Sequence, residues 1–409
     1  MVWLARMALR NLARNARRSL LTGVAVVVGT ALLTVGLSWI NGVTTTIFSN
    51  AADLAGQVRV ATPAFVLREA RLPLYENLEQ TDALVQAVQA LPGVRAYPAI
   101  RTQVTATVDE DIGEHIAPIL GAPLPYYQDV LGLPAKVVQG RGHGPDPSEA
   151  VLGAAIARDL GAGIGDDLVV LGQTQDGSLS PLKLAVVGIA ETGNGLGDRL
   201  IFVPLERARW LADIPDGGLE LLVFGDDFRA AAALAARIRA LPELEGLSVQ
   251  AWLEREPYDQ LEQIVSKIFN FLSGIIVVVT AMVVLNTMLM SVLERTSEVG
   301  VLRAMGMKRS HTVGLFVLEA MMLGGAGSAL GVLVGSMPAL YLQRVGVDLG
   351  DEITAKVDVP VSAVMHGLHT PQIAGRIFLL GFVIAVLGAA LPAVRAASIQ
   401  PVEAMRRKK

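Results

Sequence analysis

The chain has 409 residues, of which 52% are hydrophobic and only 18% are charged. Its mean hydropathy of +0.49 is too high for an ordinary soluble protein, and its charged content is too high for a chain that lies wholly within lipid. The absence of cysteine excludes disulfides and thiolate metal sites. The composition therefore predicts a protein with both membrane-embedded and water-exposed parts.

Residues 1–18 predict an amphipathic helix on the membrane surface. Its arginines recur every fourth residue, and apolar side chains occupy another face of the same helix. These arginines are Arg6, Arg10, Arg14 and Arg18. Such a helix suits the anionic inner leaflet of a membrane. Because an apolar segment follows immediately, the pattern favours membrane lipid over nucleic acid as the partner of these charges.

Four apolar segments are long enough to cross a hydrocarbon layer of about 30 Å as helices. The predicted spans are residues 19–41, 264–293, 312–342 and 375–394. The first exceeds the roughly 7–15 apolar residues of a signal-peptide core, which favours an uncleaved span. With both termini cytoplasmic, the positively charged flanks fall inside at every crossing, and residues 395–409 form a cytoplasmic tail.

The segment between the first two spans, residues 42–263, has the pattern of a water-exposed domain. Residues 57–61, 103–108 and 185–189 read as strands, and a helix is predicted to begin with Thr81 as its N-cap. Glycine and proline concentrate at 140–147, which predicts a boundary between two lobes. Residues 343–374 predict a second, smaller outer loop.

The predicted fold class is therefore an α+β membrane protein. It has four transmembrane helices, a large α+β extracytoplasmic domain inserted between the first and the second, and both termini in the cytoplasm.

Few residues within the spans can carry chemistry. Glu319 interrupts the third span, and an acid at such a position is either functional or paired with a nearby base or donor; we favour the structural role. The glycines Gly327, Gly331 and Gly335 repeat every four residues, which predicts close packing of the third span against another helix.

The sequence predicts no catalytic, cofactor or metal site. It contains no GxxxxGK[ST] motif, so ATP hydrolysis at a P-loop is not expected in this chain. His366 and His369 are spaced for one helical face, but no cysteine and no carboxylate pattern accompanies them. We expect no metal at this pair.

The mixed-charge segment 294–311 lies on the predicted cytoplasmic side, between the second and third spans. Glu294 and Glu298 form a like-charge pair at i, i+4, which costs a few tenths of a kcal/mol in an isolated helix. Arg295 and Arg303 flank Val299, and Leu302 and Met305 are apolar. The residues alone are compatible both with a solvated face and with a helix that docks into a partner.

Two stretches near the C-terminus resemble a known family. They are ERTSEVGVLRAMGMKRSHTVGLFVLEAMMLGGAGSALGVLVG, from residue 294, and LPAVRAASIQPVEAMRR, from residue 391. In the large outer segment, VLGAAIARDLGAGIGDDLVVL, LAVVGIAETG and IFVPLERA resemble its periplasmic domain. The chain is thus similar to the FtsX-like/MacB-like ABC transporter permeases, which include the macrolide exporter MacB and the lipoprotein-releasing LolC and LolE.

The resemblance implies a permease subunit of the bacterial inner membrane that dimerises with a second copy or a homologous permease. It implies a cytoplasmic ABC ATPase dimer as a separate partner, which binds ATP and magnesium, and we expect no ATPase domain fused to this chain. Residues 294–311 would then be the coupling helix that docks into the ATPase. Glu294, Arg295, Glu298, Arg303 and Gly306 match its motif, and Val299, Leu302 and Met305 would enter an apolar groove.

Two functions fit this resemblance. The first is export or release of a lipoprotein, lipid-like or amphipathic substrate, with a periplasmic accessory protein as a further possible partner. The second is an FtsX-like regulator that switches a periplasmic cell-wall hydrolase and transports nothing. The large outer domain favours the first.

Overall fold

The computed structural model describes residues 2–14, 16–108, 113–193, 195–256, 258–293, 300–301, 303–348, 350 and 364–398. The chain divides into two compact units. We call Met1–Thr45, Val265–Val347 and His366–Lys409 the helical unit, and Thr46–Ile264 with Asp348–Met365 the large domain.

Within the described residues, four helices are long and apolar enough to cross a membrane. In chain order, these span helices are Ala16–Ala55, Tyr258–Leu293, Arg309–Val345 and Pro371–Ser398. A shorter helix, Val2–Arg14, precedes them. Each described span helix is longer than the apolar segment that the sequence indicated.

The first span helix shows the largest difference, because it continues to Ala55 beyond the predicted end at residue 41. Residues 42–55 are rich in threonine and serine, which lowers their hydropathy, but the Thr44 hydroxyl donates to the carbonyl of Ile40 one turn earlier. Val43, Ile47 and Ala51 keep a helical spacing and are buried. Hydropathy therefore marked the end of the apolar run but not the end of the helix.

In the part of the large domain that the structure describes, ten strands form one sheet. Its strands are β1 (Val58–Ala61), β2 (Arg95–Thr107), β3 (His115–Ala122), β4 (Val137–Gly140), β5 (Glu149–Gly153), β6 (Asp167–Gln173), β7 (Leu179–Ala190), β8 (Ile201–Pro204), β9 (Glu220–Phe224) and β10 (Ser248–Ala251). Two further short strands are Val347–Asp348 and Val364–Met365. The α-helices of the domain are Pro63–Leu67, Thr81–Gln89, Leu124–Asp129, Leu133–Lys136, Ala154–Asp159, Leu205–Ala212 and Ala231–Arg239.

Six of these strands close into a barrel. Strand β2 pairs with β3 and β6, β3 with β8, β8 with β5, β5 with β7, and β7 with β6. Along β6 the side chains alternate between exposed and buried, so that Leu168 and Val170 point into the core. Closure leaves these six strands without the unpaired edges that promote aggregation.

The other part of the domain is an open sheet of β1, β9 and β10. Its core is covered by the helices Thr81–Gln89 and Ala231–Arg239 and includes the buried Trp252. The first half of β2 pairs with β9 and its second half with β3, so this one long strand joins the open sheet to the barrel.

Two predictions about the outer domain were wrong. No boundary lies at residues 140–147, because Gly140 pairs with Gly188 and the Arg141 N–H donates to the carbonyl of Val187 within the barrel. Thr81 is not the N-cap of its helix, since that position belongs to Gln80. The Thr81 hydroxyl instead accepts a bond from Arg209.

Candidate functional site

Side chains of the large domain bind the carbonyl groups at the end of the first span helix. A helix leaves its last four carbonyls without helical partners, and these carry a partial negative charge. Here the last three each accept a side-chain hydrogen bond. The donors are the Tyr126 hydroxyl to Asp53 O at 2.9 Å, Arg101 to Leu54 O at 3.3 Å, and Arg255 to Ala55 O at 2.5 Å.

Two of these donors belong to a charged group that we call the junction cluster, defined as Arg59, Glu69, Arg101, Glu220 and Arg255. Arg59 bonds Glu69 at 2.8 Å, Arg101 bonds Glu220 at 2.6 Å, and Arg255 lies 3.4 Å from Glu69. The side chains of Arg59 and Arg255 are 1% exposed and that of Glu220 is 3% exposed.

The cluster holds one more cation than anion. A buried charge is costly unless it is compensated. The negative end of the first span helix supplies the missing compensation, because Arg101 and Arg255 both donate to its terminal carbonyls. The cluster and the helix end therefore stabilise each other.

Arg255 also lies at the start of the second span helix. Its carbonyl accepts the N–H of Asp259, in the first turn of that helix, at 3.1 Å. Its guanidinium meanwhile donates to Ala55 O, at the end of the first span helix. One residue thus connects the ends of two span helices within the large domain.

The charges of the cluster shift the pKa values of its members. Burial raises the pKa of Glu69, but the hydrogen bond and charge of Arg59 and the charge of Arg255 outweigh burial and hold it below its ordinary value of 4.5. Burial and the nearby charge of Arg59 lower the pKa of Arg255. Burial opposes the charged form of Arg101 too, but the charge of Glu220 raises its pKa overall.

The predicted coupling residues are only partly described. Glu294, Arg295, Glu298, Val299 and Leu302 lie outside the described residues. Arg303, Met305 and Gly306 are described and lie at the end of a helical turn, where the Gly306 N–H donates to Arg303 O. Gly306 has a φ of 96°, and the Met305 side chain is 72% exposed. Their docking role stays a prediction.

The three predicted packing glycines face the first span helix. A Cβ atom at Gly327 would lie 2.9 Å from Val26 Cγ1, and one at Gly331 would lie 2.7 Å from Val27 O. At Gly335 it would lie 2.7 Å from Ala31 O. Only glycine allows the two helices to approach so closely.

Glu319 is buried in the same unit and accepts a hydrogen bond from the side-chain amide of Asn11 at 2.9 Å. Asn11 belongs to the N-terminal helix, whose Leu4 and Ala8 pack with Leu315 of the third span helix. The Asn11 amide is a nearby donor of the kind that a structural role of Glu319 requires.

The arginines of the N-terminal segment separate into two helices. Arg6, Arg10 and Arg14 are exposed on the helix Val2–Arg14. Arg18 lies in the first span helix, and its side chain is outside the described residues. The predicted contact of these four residues with lipid stays a prediction.

The two histidines are used for hydrogen bonds within the helical unit. His369 bonds Ser38 through Nδ1 and Ser336 through Nε2, both at 2.9 Å, and so bridges the first and third span helices. His366 Nδ1 lies 3.2 Å from Gln343 O. Among the described residues, no group of three or more His, Asp or Glu is placed to hold a metal ion.

The sequence reasoning missed the junction cluster, although one signal was available. Arg59 takes a polar position in the alternating strand QVRVA, which predicts a solvent-facing side chain, whereas Glu220 begins the apolar strand ELLVF. A carboxylate in a strand as apolar as ELLVF indicates a buried partner of opposite charge. Which strands pair cannot be obtained from the pattern alone.

Comparison with known proteins places this architecture in a family. Residues 19–241 match the MacB-like periplasmic core domain, and residues 270–401 match the FtsX-like permease C-terminal domain. The first match covers more than half of the chain. The chain belongs to the FtsX-like/MacB-like ABC permease family. The predicted family is confirmed, as is a multi-pass protein of the inner membrane with a periplasmic domain.

Individual relatives are distant. The macrolide export ATP-binding/permease protein MacB 1/2 of Paracoccus denitrificans is 27% identical over 98% of this chain, which spans 58% of that protein's length. The lipoprotein-releasing system transmembrane protein LolE of Haemophilus influenzae is 21% identical over 94% of this chain and 93% of its own. A crystal structure of the periplasmic region of MacB from Actinobacillus actinomycetemcomitans covers 51% of this chain and 92% of its own, at 14% identity and a TM-score of 0.35.

Proposed function

We propose that this permease transmits ATP-driven motion from a cytoplasmic ABC ATPase to its large periplasmic domain. The motion extracts or exports a lipoprotein, lipid-like or amphipathic substrate. Both termini and residues 294–311 lie in the cytoplasm, and a second copy or a homologous permease completes the dimer. The ATPase dimer, rather than this chain, binds ATP and magnesium.

The observation that carries this proposal is the fixed end of the first span helix. The helix runs without a break from Ala16 to Ala55, and its last three carbonyls are bonded to Tyr126, Arg101 and Arg255. Because residues 16–55 contain no proline, which is a common cause of helix kinks, we expect a displacement of the span to reach Ala55. The junction cluster passes it to β1, β2 and β9, which carry Arg59, Arg101 and Glu220.

Arg255 makes the second span helix part of the same mechanism. Separating Ala55 from Arg255 would leave a buried cation without part of its compensation, which is costly. The ends of the first and second span helices therefore move together.

The relatives support export over regulation. The name of MacB assigns it macrolide export, and the name of LolE assigns it to lipoprotein release. The match to the MacB-like periplasmic core domain extends over residues 19–241 and includes the barrel and most of the open sheet. This large domain favours a permease that acts on a substrate over a regulator of a cell-wall hydrolase.

The proposal is tested by reconstituting the permease with its ABC ATPase in liposomes. We expect ATP hydrolysis to depend on the permease, and a lipid-modified protein in the membrane to be released only when ATP is hydrolysed. An ATPase that neither binds the permease nor changes its rate would contradict the proposal. ATP-dependent activation of a cell-wall hydrolase without release of substrate would establish the regulatory function instead.

A further inference from the structure

The outer wall of the barrel carries an open groove that the proposed mechanism does not use. Its volume is about 560 Å³. One side is formed by residues 70–75, and the other by the exposed faces of β2, β3 and β6 with Leu179 at the start of β7. A groove of this size is within the range of sites that bind small molecules.

Large apolar side chains lie exposed along this groove. Ile116 is 79% exposed, Leu179 is 67% exposed and Leu171 is 38% exposed. Thr105 of β2 pairs with Ile116 on one side and with Leu171 on the other, so the two apolar residues flank it on the outer face of the barrel. Large apolar side chains exposed together in one groove mark a binding site more often than apolar residues scattered singly over a surface.

The groove has a single charge. Among the described residues that line it, Arg71 is the only one with a charged side chain, and no carboxylate accompanies it. Leu72, next to Arg71, has a left-handed conformation with a φ of 44° although it precedes Pro73. Such backbone strain in a residue other than glycine persists where the surrounding structure enforces it, often at binding sites.

We propose that this groove binds an anionic amphiphile. The apolar chain lies along Ile116, Leu171 and Leu179, and the anionic head group binds the guanidinium of Arg71. A cationic ligand would meet a like charge, and a purely apolar ligand would leave Arg71 without a counter-charge. The inference rests on the proposed function, because it names the class of substrate that the periplasmic domain contacts.

The test uses the full chain in nanodiscs of phosphatidylcholine and two photoreactive probes. One is a diazirine-bearing fatty acid, and the other is the alkyl amine of the same chain length. After illumination, labelled peptides are identified by mass spectrometry. We expect the fatty acid to label peptides that contain residues 70–75 and 169–179, and the amine to label them at least fivefold less.

Three variants separate the charge of Arg71 from a general surface effect. Arg71→Gln should lower this labelling at least fivefold, and Arg71→Lys should retain most of it. The matched control is Arg68→Gln, because Arg68 is a neighbouring exposed arginine that pairs with Glu76 at 3.1 Å and does not line the groove. It should label like the wild type. The melting temperature of each variant verifies that it is folded.

Two results would overturn the inference. They are equal labelling of the groove by the two probes and labelling that Arg71→Gln leaves unchanged. Dependence of ATP hydrolysis on the permease is measured in the same nanodiscs with the ATPase added. Coupled hydrolysis without groove labelling rejects the groove alone, whereas groove labelling without coupling rejects the proposed function and leaves the binding site.

Discussion

At the scale of single residues, Arg255 contacts several separate elements of the large domain. It donates to the end of one span helix, accepts from the first turn of another, and lies 3.4 Å from Glu69. Its guanidinium also packs over the Tyr258 ring, 5.4 Å from the ring centroid. A side chain with this many fixed partners positions its neighbours and cannot be replaced by another cation of different shape.

We expect Arg255→Met to lower the free energy of unfolding by about 1–3 kcal/mol, because Ala55 O loses its donor in a buried environment. The measurement is denaturant unfolding of the purified chain in detergent, followed by tryptophan fluorescence, to which the buried Trp252 contributes. The control Arg68→Met removes an exposed pair and should cost less than 1 kcal/mol. Equal losses in the two variants would contradict the role of Arg255.

The lowered pKa of Glu69 predicts how the stability of the large domain changes at low pH. Folding lowers the pKa of Glu69 below 4.5, so its stabilising effect is complete above that pH and is lost as the pH falls through the lower pKa of the folded state. We expect the melting temperature of the wild type to fall more steeply below pH 4.5 than that of Glu69→Gln. Parallel curves for the two proteins over this range would contradict the assignment.

At the scale of elements, the third span helix depends on its glycine face. A leucine at Gly331 would overlap the backbone carbonyl of Val27, which cannot move without displacing the first span helix. We therefore expect Gly331→Leu to destabilise the chain by about 1–3 kcal/mol, which is typical of overpacking, and to weaken dimerisation in detergent. Thermal unfolding and light scattering measure the two effects.

The same helix provides a matched control for this substitution. No atom outside its own neighbours lies within 4 Å of the Cβ position at Gly314, so Gly314→Leu adds the same side chain to open space. We expect it to unfold and dimerise like the wild type. If both variants lose stability equally, the effect arises from glycine replacement in general and not from contact with the first span helix.

The segment between the second and third span helices is expected to contact the ATPase. Reversing a charge there, as in Glu298→Lys or Arg303→Glu, should uncouple ATP hydrolysis from the periplasmic domain while the protein remains folded and inserted. The control is Lys183→Glu on the barrel, where Lys183 and Asp167 form an exposed pair. Wild-type dependence of ATP hydrolysis on the permease in the segment variants would contradict the docking role.

At the scale of the whole molecule, the sequence was informative wherever one local property decided the structure. Hydropathy located four candidate spans, since each needs about 20 apolar residues. Alternation identified parts of β1 and β2, and a short apolar run identified part of β7. These signals depend only on residues close together in the sequence, so none of them requires knowledge of which distant segments pair.

The junction cluster could not be predicted in the same way. Its five residues come from positions between 59 and 255, and they meet only because β1 pairs with β9 and the first half of β2 pairs with β9 as well. The barrel could not be predicted for the same reason, since its closure depends on pairings between distant strands, such as β3 with β8. Long-range pairing is set by the packing of the whole domain and not by any segment of the sequence.

The most direct test of transmission through Arg255 measures movement of the periplasmic domain. The chain contains no cysteine, so Lys183→Cys introduces a single site for a spin label on the exposed barrel wall. In a reconstituted complex of two permease copies with the ATPase, double electron–electron resonance measures the distance between the two spin labels with and without ATP. We predict that ATP shifts this distance in the otherwise wild-type protein, and that Arg255→Met abolishes the shift while ATP hydrolysis continues. An unchanged shift in a folded Arg255→Met complex would contradict transmission through this residue.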